Sequence, residues 1–487
     1  MADPASPLRS LLWSGLETLG TLVIGLASVI VIARLIGPDA FGLASIGLGL
    51  TLVVIVFISS LVHDGLVRSP DYHERQLASA FGFSLLAGAA ASLALAMASL
   101  PLARLLDEPQ LVPVLLAFLP MVLFGALTAP LIAERRRALD FPTLGRHQLA
   151  TRATGLGLGL AMAASGFGVW SVVGQQLLTT GLLMLSLTVV RKGLPALRID
   201  WRALRPVLVF SRNIALTGLV VQLTERLFLT MVGWLYGLAA AGQWAVASRL
   251  VETVNGVLSQ LIYHVALAHM TALRETKSAL ARVATLNRDL LILVALPGLA
   301  AVAAAAEPLV QLLFGTGWEA VPGLLVWLLL GAVFVMRRLL AQVAMNVLGR
   351  SETTLYAFAA ESAVALAMLA LLSPLGLTGA AVARGLSFAI GWLVIFHRAR
   401  RALDLALLRE SLGLALDLAV IVGVLALIRW LFSDVVFERL VVAVLSQGGL
   451  AFSLALATLV ACRFERVQAL IAELRAQRRG KRPHDRQ

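Results

Sequence analysis

A single cysteine, Cys462, leaves this chain no intrachain disulfide and no multi-cysteine metal site. Charged residues make up only 14% of its 487 positions, too few to solvate the surface of a water-soluble fold of this length. No Walker motif occurs, so nucleotide hydrolysis is excluded as a built-in energy source. The one glycine-rich run, "TGLGLGLAMAASG" from Thr154 to Gly166, follows no strand. It reads as small residues that let membrane helices approach, not as a phosphate loop.

Apolar side chains fill the space these absences leave. They are 59% of the residues, and the mean hydropathy is +0.90. Apolar runs predict about fourteen membrane spans, near 10–36, 42–68, 77–100, 111–133, 147–167, 169–190, 206–236, 240–268, 280–305, 323–347, 354–373, 377–397, 410–432 and 437–461. Each is long enough, at about 1.5 Å per residue, to cross roughly 30 Å of hydrocarbon. The first run is read as a span and not as a cleaved signal, because Glu17 interrupts it and it continues to Ile36 at full length.

The net charge of +13 is spread over short loops and a tail, which excludes a nucleic-acid surface as its simplest reading. Alternate loops carry Arg135, Arg136, Arg137 and Arg146; Arg191, Lys192, Arg198, Arg202 and Arg205; Arg274, Lys277 and Arg282; and Arg398, Arg400, Arg401 and Arg409. The intervening loops hold little beyond Arg34, Arg104 and Arg439. The positive-inside rule then puts both termini in the cytoplasm, with a basic tail over 463–487. Trp201, Trp234 and Trp318 are expected as interfacial anchors.

"ARLIGPDAFGL", from Ala33 to Leu43, interrupts two apolar runs with a turn at Gly37-Pro38-Asp39. The same spacing recurs two hundred residues later, with Gly237 and Gly242 in "WLYGLAAAGQWAVA" at the places of Gly37 and Gly42. Ser59-Ser60-Leu61 likewise precedes Ser259-Gln260-Leu261 by two hundred residues. "GFGVWSVV" (from Gly166) matches "GLTGAAVA" (from Gly376), and "LLDEPQLVPVLL" (from Leu105) matches "LLFGTGWEAVPGLL" (from Leu312). In this order they predict an all-α integral membrane protein of two parallel six-helix repeats, with substrate between them. The lobes are placed at 1–195 and 196–402, followed by an added two-helix hairpin at 403–462.

"ARLIGPDAFGL", "GLVRSPD" (from Gly65), "LDFPTLG" (from Leu139) and "GFGVWSVVGQQ" (from Gly166) together resemble the polysaccharide transporter branch of the multidrug, oligosaccharidyl-lipid and polysaccharide exporter superfamily. The resemblance spans essentially the whole chain, including the twelve-plus-two count. It implies a V-shaped cavity with basic lining and a bacterial inner-membrane flippase. The implied cargo is an undecaprenyl-pyrophosphate-linked oligosaccharide for O-antigen, capsule or exopolysaccharide, with polymerase and chain-length proteins as candidate partners. It implies no catalytic residue, no metal and no resident cofactor.

Charge at membrane depth costs about 2.5–3.5 kcal/mol per residue on insertion scales, so the deep polar residues are the candidates for a site. Glu225 and Arg226 precede the second turn, and Arg249 and Glu252 follow it, at distances that put all four near mid-membrane. Gln222 and Asn255 extend their polar surface, whereas the matching places in the first repeat, near Gly25 and Leu52, are apolar. Two readings stand side by side: arginines that grip a lipid pyrophosphate with a glutamate as coupling or gating partner, or ion pairs between neighbouring helices. Arg337 and Arg338, with Gln342 and Asn346, are read as cavity-lining because the nearby sequence offers them no acidic partner. Arg152 and Arg384 are expected near the faces, where snorkelling explains them. Glu17 is a further gating candidate at the inner mouth, and H+ or Na+ are the candidate coupling ions.

Three other functions compete. An integral-membrane enzyme would need a polar site outside the bilayer, and the longest outer loop, about 307–322, has Glu307 and Glu319 but no His or Arg. A cation-coupled drug antiporter would want an acidic cavity. A peptidoglycan lipid-precursor flippase shares the scaffold and the cargo class.

Overall fold

A computed structural model describes residues 7–69, 72–273, 276–350, 352–404, 407–433, 435 and 439–462; the expected basic tail and Arg274 lie outside these. Among the described residues the chain is helical, in the order α1 (Pro7–Arg68), α2 (Glu74–Leu105), α3 (Leu111–Arg137), α4 (Phe141–Ala164), α5 (Val169–Arg191), α6 (Trp201–Tyr236), α7 (Leu238–Ala272), α8 (Lys277–Ala304), α9 (Ala306–Phe314), α10 (Val321–Val347), α11 (Glu352–Leu371), α12 (Gly376–Leu403), α13 (Leu407–Leu431) and α14 (Leu440–Cys462). Among the described residues, eleven helices are long and apolar enough to cross a membrane, with α1 counted once. Every expected span coincides with a helix or half of one.

Local chemistry sets the ends. Asp140 caps α4 by accepting from the Thr143 amide at 3.3 Å, and Asp200 caps α6 by accepting from Arg202 at 2.9 Å and Ala203 at 3.4 Å. Arg137 donates to the carbonyls of Val67 and Ser69 at 3.2 and 2.6 Å, satisfying the last turn of α1. Its guanidinium lies 4.8 Å over Tyr72, whose hydroxyl is pushed up to about 12 by burial.

The chain packs as two units. One holds residues 1–249 with Leu313–Glu319; the other holds Leu250–Leu312 and 320 onward. In the first, α1 is the spine, packing on α3, α4 and α6, while α2 lies on α3 and α5 on α4. In the second, α10 and α11 pack on α12, and α8 packs on α10 and α14.

α1 is two helices broken at Gly37, whose φ of 79° and ψ of 171° recur at Gly237 as 89° and 172°. A side chain is strained at such a φ, so both turns need glycine. The second glycine of each motif has a different purpose. A Cβ on Gly42 would strike the Leu238 carbonyl oxygen, and a Cβ on Gly242 would strike the Pro38 carbonyl oxygen. Position 38 plus two hundred is 238, so this is one contact made twice about a pseudo-two-fold axis. The six-residue motif thus encodes both a turn and a reciprocal backbone approach. Gly42→Val is expected to abolish the monodisperse peak in detergent size-exclusion chromatography, whereas Gly15→Val, with nothing within 4 Å of the added carbon, retains it.

Trp318 corrects an expectation. It is 2% exposed, edge-on to Phe41 at 6.2 Å and 5.5 Å from Phe314, so it packs the outer turn instead of anchoring at an interface. Trp201 and Trp234 are exposed, as anchors require. The short helix α9 was not foreseen, because nine residues give too little periodicity to separate it from a loop.

Candidate functional site

The pseudo-symmetry carries inward along α1, α6 and α7. Arg249 rests its Nη2 3.2 Å from where a Cβ on Gly25 would stand, and Arg226 brings its Cδ within 2.8 Å of the corresponding point on Gly49. Subtracting two hundred from 249 gives 49, and from 226 gives 26, one residue beyond Gly25. The two contacts are therefore the same helix crossing seen from both sides, with glycine supplied by the first repeat and arginine by the second. The first repeat leaves room, and the second fills it with positive charge. Both arginines belong to the first packing unit.

Arg226 and Arg249 stand 11 and 12 residues from Gly237, or about 16–18 Å along the helix at 1.5 Å per residue. Arg249 is exposed and Arg226 half-buried, with the Arg226 Nε lacking a hydrogen-bond partner. An exposed guanidinium at that depth requires a hydrated surrounding, because hydrocarbon would reject it. Gln222 shares a face of α6 with Glu225 by i, i+3 and with Arg226 by i, i+4 spacing, and both Gln222 and Glu225 are half-buried. On α7 the same spacing aligns Arg249 with exposed Glu252, and with half-buried Asn255 one further turn on.

Glu17 is half-buried on the opening turns of α1, within electrostatic reach of Arg136 and Arg152. Arg152 is not near a face, contrary to expectation. α4 begins at Phe141, so Arg152 is midway along the helix and its neighbours include Glu17 and Arg249. Asp140 starts the helix six residues earlier than hydropathy indicates, carrying Pro142 and Arg146 into it. Sequence reading also missed Ser28 and Gln175, which lie beside this region. The Ser28 hydroxyl lies 3.0 Å from Gln175 Oε1, and Gln175 Nε2 donates back to Ser28 at 2.7 Å. Two consecutive glutamines in an apolar span were the available signal.

A separate ionic network fills the core of the second unit, and it corrects the reading of Arg337 and Arg338. Arg337, from α10, reaches Asp417 of α13 at 2.6 Å through Nη2 and again through Nε, and Glu410 at 3.5 Å. Glu410 also pairs with Arg288 of α8, which in turn holds Asp289 at 2.8 Å. Arg338 pairs with Glu361 of α11, and Glu361 also faces Arg384 of α12 at 3.5 Å. Arg384 is 4% exposed and stacks 4.4 Å over Phe388, so it does not snorkel. Both sequence-predicted arginines therefore have carboxylate partners, contributed by helices remote in sequence. They do line a cavity with Arg288, Trp392, Phe396 and Glu410. Gln342 is half-buried, and exposed Asn346 accepts from Thr354 at 3.2 Å, tying α10 to α11.

Chemically, the first region brings the guanidiniums of Arg226 and Arg249 together with the carboxylates of Glu225 and Glu252 on the same stretch of α6 and α7. The second presents balanced charge in a closed core, suited to holding helices together. No group of three or more His, Cys, Asp or Glu able to hold a metal occurs among the described residues.

Comparison with known proteins agrees with this architecture. The model of a family described as "Polysaccharide biosynthesis protein" matches residues 31–322. The succinoglycan biosynthesis transport protein ExoT of Rhizobium meliloti (strain 1021) is 22% identical over 317 residues, covering 64% of this chain and 63% of that protein's length. Among solved structures, lipid II flippase MurJ in an inward closed conformation superposes with a TM-score of 0.73 at 16% identity, over 94% of this chain and 100% of that one. An inward-facing MATE multidrug transporter of the MOP superfamily superposes at 0.61 and 14% identity, over 81% and 98%. The fold is thus like that of the MurJ and MATE transporters, and the chain belongs to the family described as "Polysaccharide biosynthesis protein".

Proposed function

We propose that this protein is an inner-membrane flippase that moves undecaprenyl-pyrophosphate-linked oligosaccharide units from the cytoplasmic to the periplasmic leaflet by alternating access, with both termini in the cytoplasm. The observation that carries the reading is the pair Arg226 and Arg249, held at mid-depth against Gly49 and Gly25. Bidentate guanidinium contacts suit a diphosphate, and an exposed cation at that depth needs a hydrated path that a headgroup could follow. Membership of the polysaccharide family, the relative named for succinoglycan transport and the likeness to a lipid II flippase all support lipid-linked cargo over a drug cation. The drive comes from an ion gradient, with H+ or Na+ as coupling ion, or from the cargo gradient. No bond in the cargo changes.

The test is deletion of the gene in its host, followed by assay of surface polysaccharide and of labelled lipid-linked units. Loss of polymer with units accumulating on the cytoplasmic leaflet, reversed by the wild-type gene, is the expected result. Normal polymer without accumulation, in a strain lacking other carriers of this family, would overturn the reading in favour of drug export.

A further inference from the structure

The linker between α5 and α6, residues 192–200, is drawn onto the side of α2. A Cβ on Gly82 would stand 2.9 Å from the Arg198 carbonyl oxygen and 3.1 Å from Ile199 Cγ1. The Asp200 amide donates to the Ser79 hydroxyl at 3.0 Å, and Gln76 Nε2 donates to the Ala203 carbonyl at 3.3 Å. Ser79 and Gly82 stand five and eight residues after Glu74, the first residue of α2, inside the apolar run that opens near 77. The linker backbone is therefore held level with the second and third turns of a membrane helix, about 7–12 Å along it at about 1.5 Å per residue.

From that level the chain presents two kinds of side chain. Leu194, Leu197, Ile199 and Trp201 are exposed, Leu197 by 64%. Lys192, Arg198, Arg202 and Arg205 are exposed between and beside them. The acids of this edge are committed elsewhere: Asp200 takes the amides of Arg202 and Ala203 and lies 3.9 Å from Arg75, and Glu74 pairs with Arg191. That leaves the four cations without an ion pair among the described residues. Water has no affinity for the leucines, and hydrocarbon rejects the arginines. Headgroup depth suits both, because apolar side chains enter the acyl boundary while long basic ones extend to the phosphates. The unpaired charge then selects an anionic headgroup over a zwitterionic one. An acidic protein would answer the charge, but it would have to reach in to the level of the second turn of α2.

We propose that the linker and the first turn of α6 form a binding site for anionic phospholipid, its headgroups held by Lys192, Arg198, Arg202 and Arg205 and its acyl chains covering Leu194, Leu197 and Ile199. The cargo has no part in this site, so the proposal goes beyond the flippase reading and stands or falls apart from it. Bound lipid fastens the start of α6, the helix that carries Arg226, to the leaflet surface. Trp201 is the aromatic anchor of that turn.

The single cysteine, Cys462, is exposed, so Cys462→Ser provides a background for one fluorescent reporter. A bimane label at Leu197→Cys reports the linker, and one at Met97→Cys, exposed further along α2, reports ordinary lipid. The full chain is reconstituted in phosphatidylcholine vesicles that carry an equal mole fraction of either phosphatidylglycerol or phosphatidylcholine with brominated chains. At position 197 brominated phosphatidylglycerol is expected to be enriched about fivefold or more over brominated phosphatidylcholine, the effect of even one cation near a charged surface. At position 97 the two should quench alike. High salt should remove the enrichment, and so should replacement of the four cations by glutamine. If the glutamine variant aggregates, the salt series on the unaltered linker decides. Equal quenching by both lipids at position 197 overturns the anionic site. Quenching by neither puts the linker in water, overturns the proposal and leaves the charges to an acidic protein. Enrichment that persists in the glutamine variant assigns the lipid to other basic loops and overturns it as well.

Discussion

Arg249→Ala is expected to reduce export of lipid-linked units on the order of a hundredfold, because a bidentate contact to a charged phosphate contributes about 3 kcal/mol. The side chain is exposed, so its truncation leaves no closed cavity and the helix interior is unchanged. Folded yield should therefore match wild type while surface polymer falls and units accumulate. Arg249→Lys should recover part of the loss, since the charge remains and only the fork is gone. Equal loss of folded protein and of export would assign Arg249 to the fold instead. Gly25→Leu supplies an independent check: it leaves every arginine in place but fills the space in which the Arg249 Nη2 rests, 3.2 Å from the added Cβ. Its effect on export should approach that of Arg249→Ala.

The second large effect concerns stability. Asp417 is fully buried and meets Arg337 through both Nε and Nη2 at 2.6 Å, while the Arg337 side chain is 2% exposed. Asp417→Ala removes one partner and leaves a buried cation leaning on Glu410, which Arg288 also claims. A destabilisation of about 3–5 kcal/mol is expected, read as a lowered midpoint in thermal unfolding of the detergent-solubilised protein. The double variant Arg337→Met, Asp417→Leu removes both charges and should recover most of the loss. If the single variant melts with wild type, the network is not holding α13 to α8 and α10.

The contrast between these two groups of arginines marks what sequence could reveal. Spans, turns and the two-hundred-residue repeat were legible because glycine at a φ near 80° and long apolar runs are local demands written at the position where they act. The repeat even pointed to Arg226 and Arg249 by contrast with the apolar first half. It did not reveal that Gly25 and Gly49 are where those arginines lie, because a close approach across helices leaves no local trace in either one. Arg337 and Arg338 looked unpartnered for the same reason: Glu361 is 23 positions away and Asp417 is 80. Arg152 was misplaced by a different effect. Pro142 and Arg146 read as loop by hydropathy, yet a proline in the first turn and the Asp140 cap let the helix start at Phe141.

The reciprocal glycine contacts also explain why so little sequence is shared between the repeats. Only a turn glycine and a close-contact glycine must recur for the two hairpins to meet about their axis; the positions beneath them are free to diverge, and Gly25 with Gly49 against Arg226 and Arg249 is that divergence.

Transbilayer movement of cargo in a defined membrane tests the central claim most directly. Vesicles containing the purified protein would be loaded with a fluorescent undecaprenyl-pyrophosphate-linked oligosaccharide in one leaflet, and the fraction reachable by a membrane-impermeant quencher followed with time. Redistribution to both leaflets with wild type, slowed about a hundredfold by Arg249→Ala, is the predicted result. Cargo that stays in the loaded leaflet under an imposed H+ or Na+ gradient as well as without one, while the same vesicles accumulate a cationic drug, would contradict it.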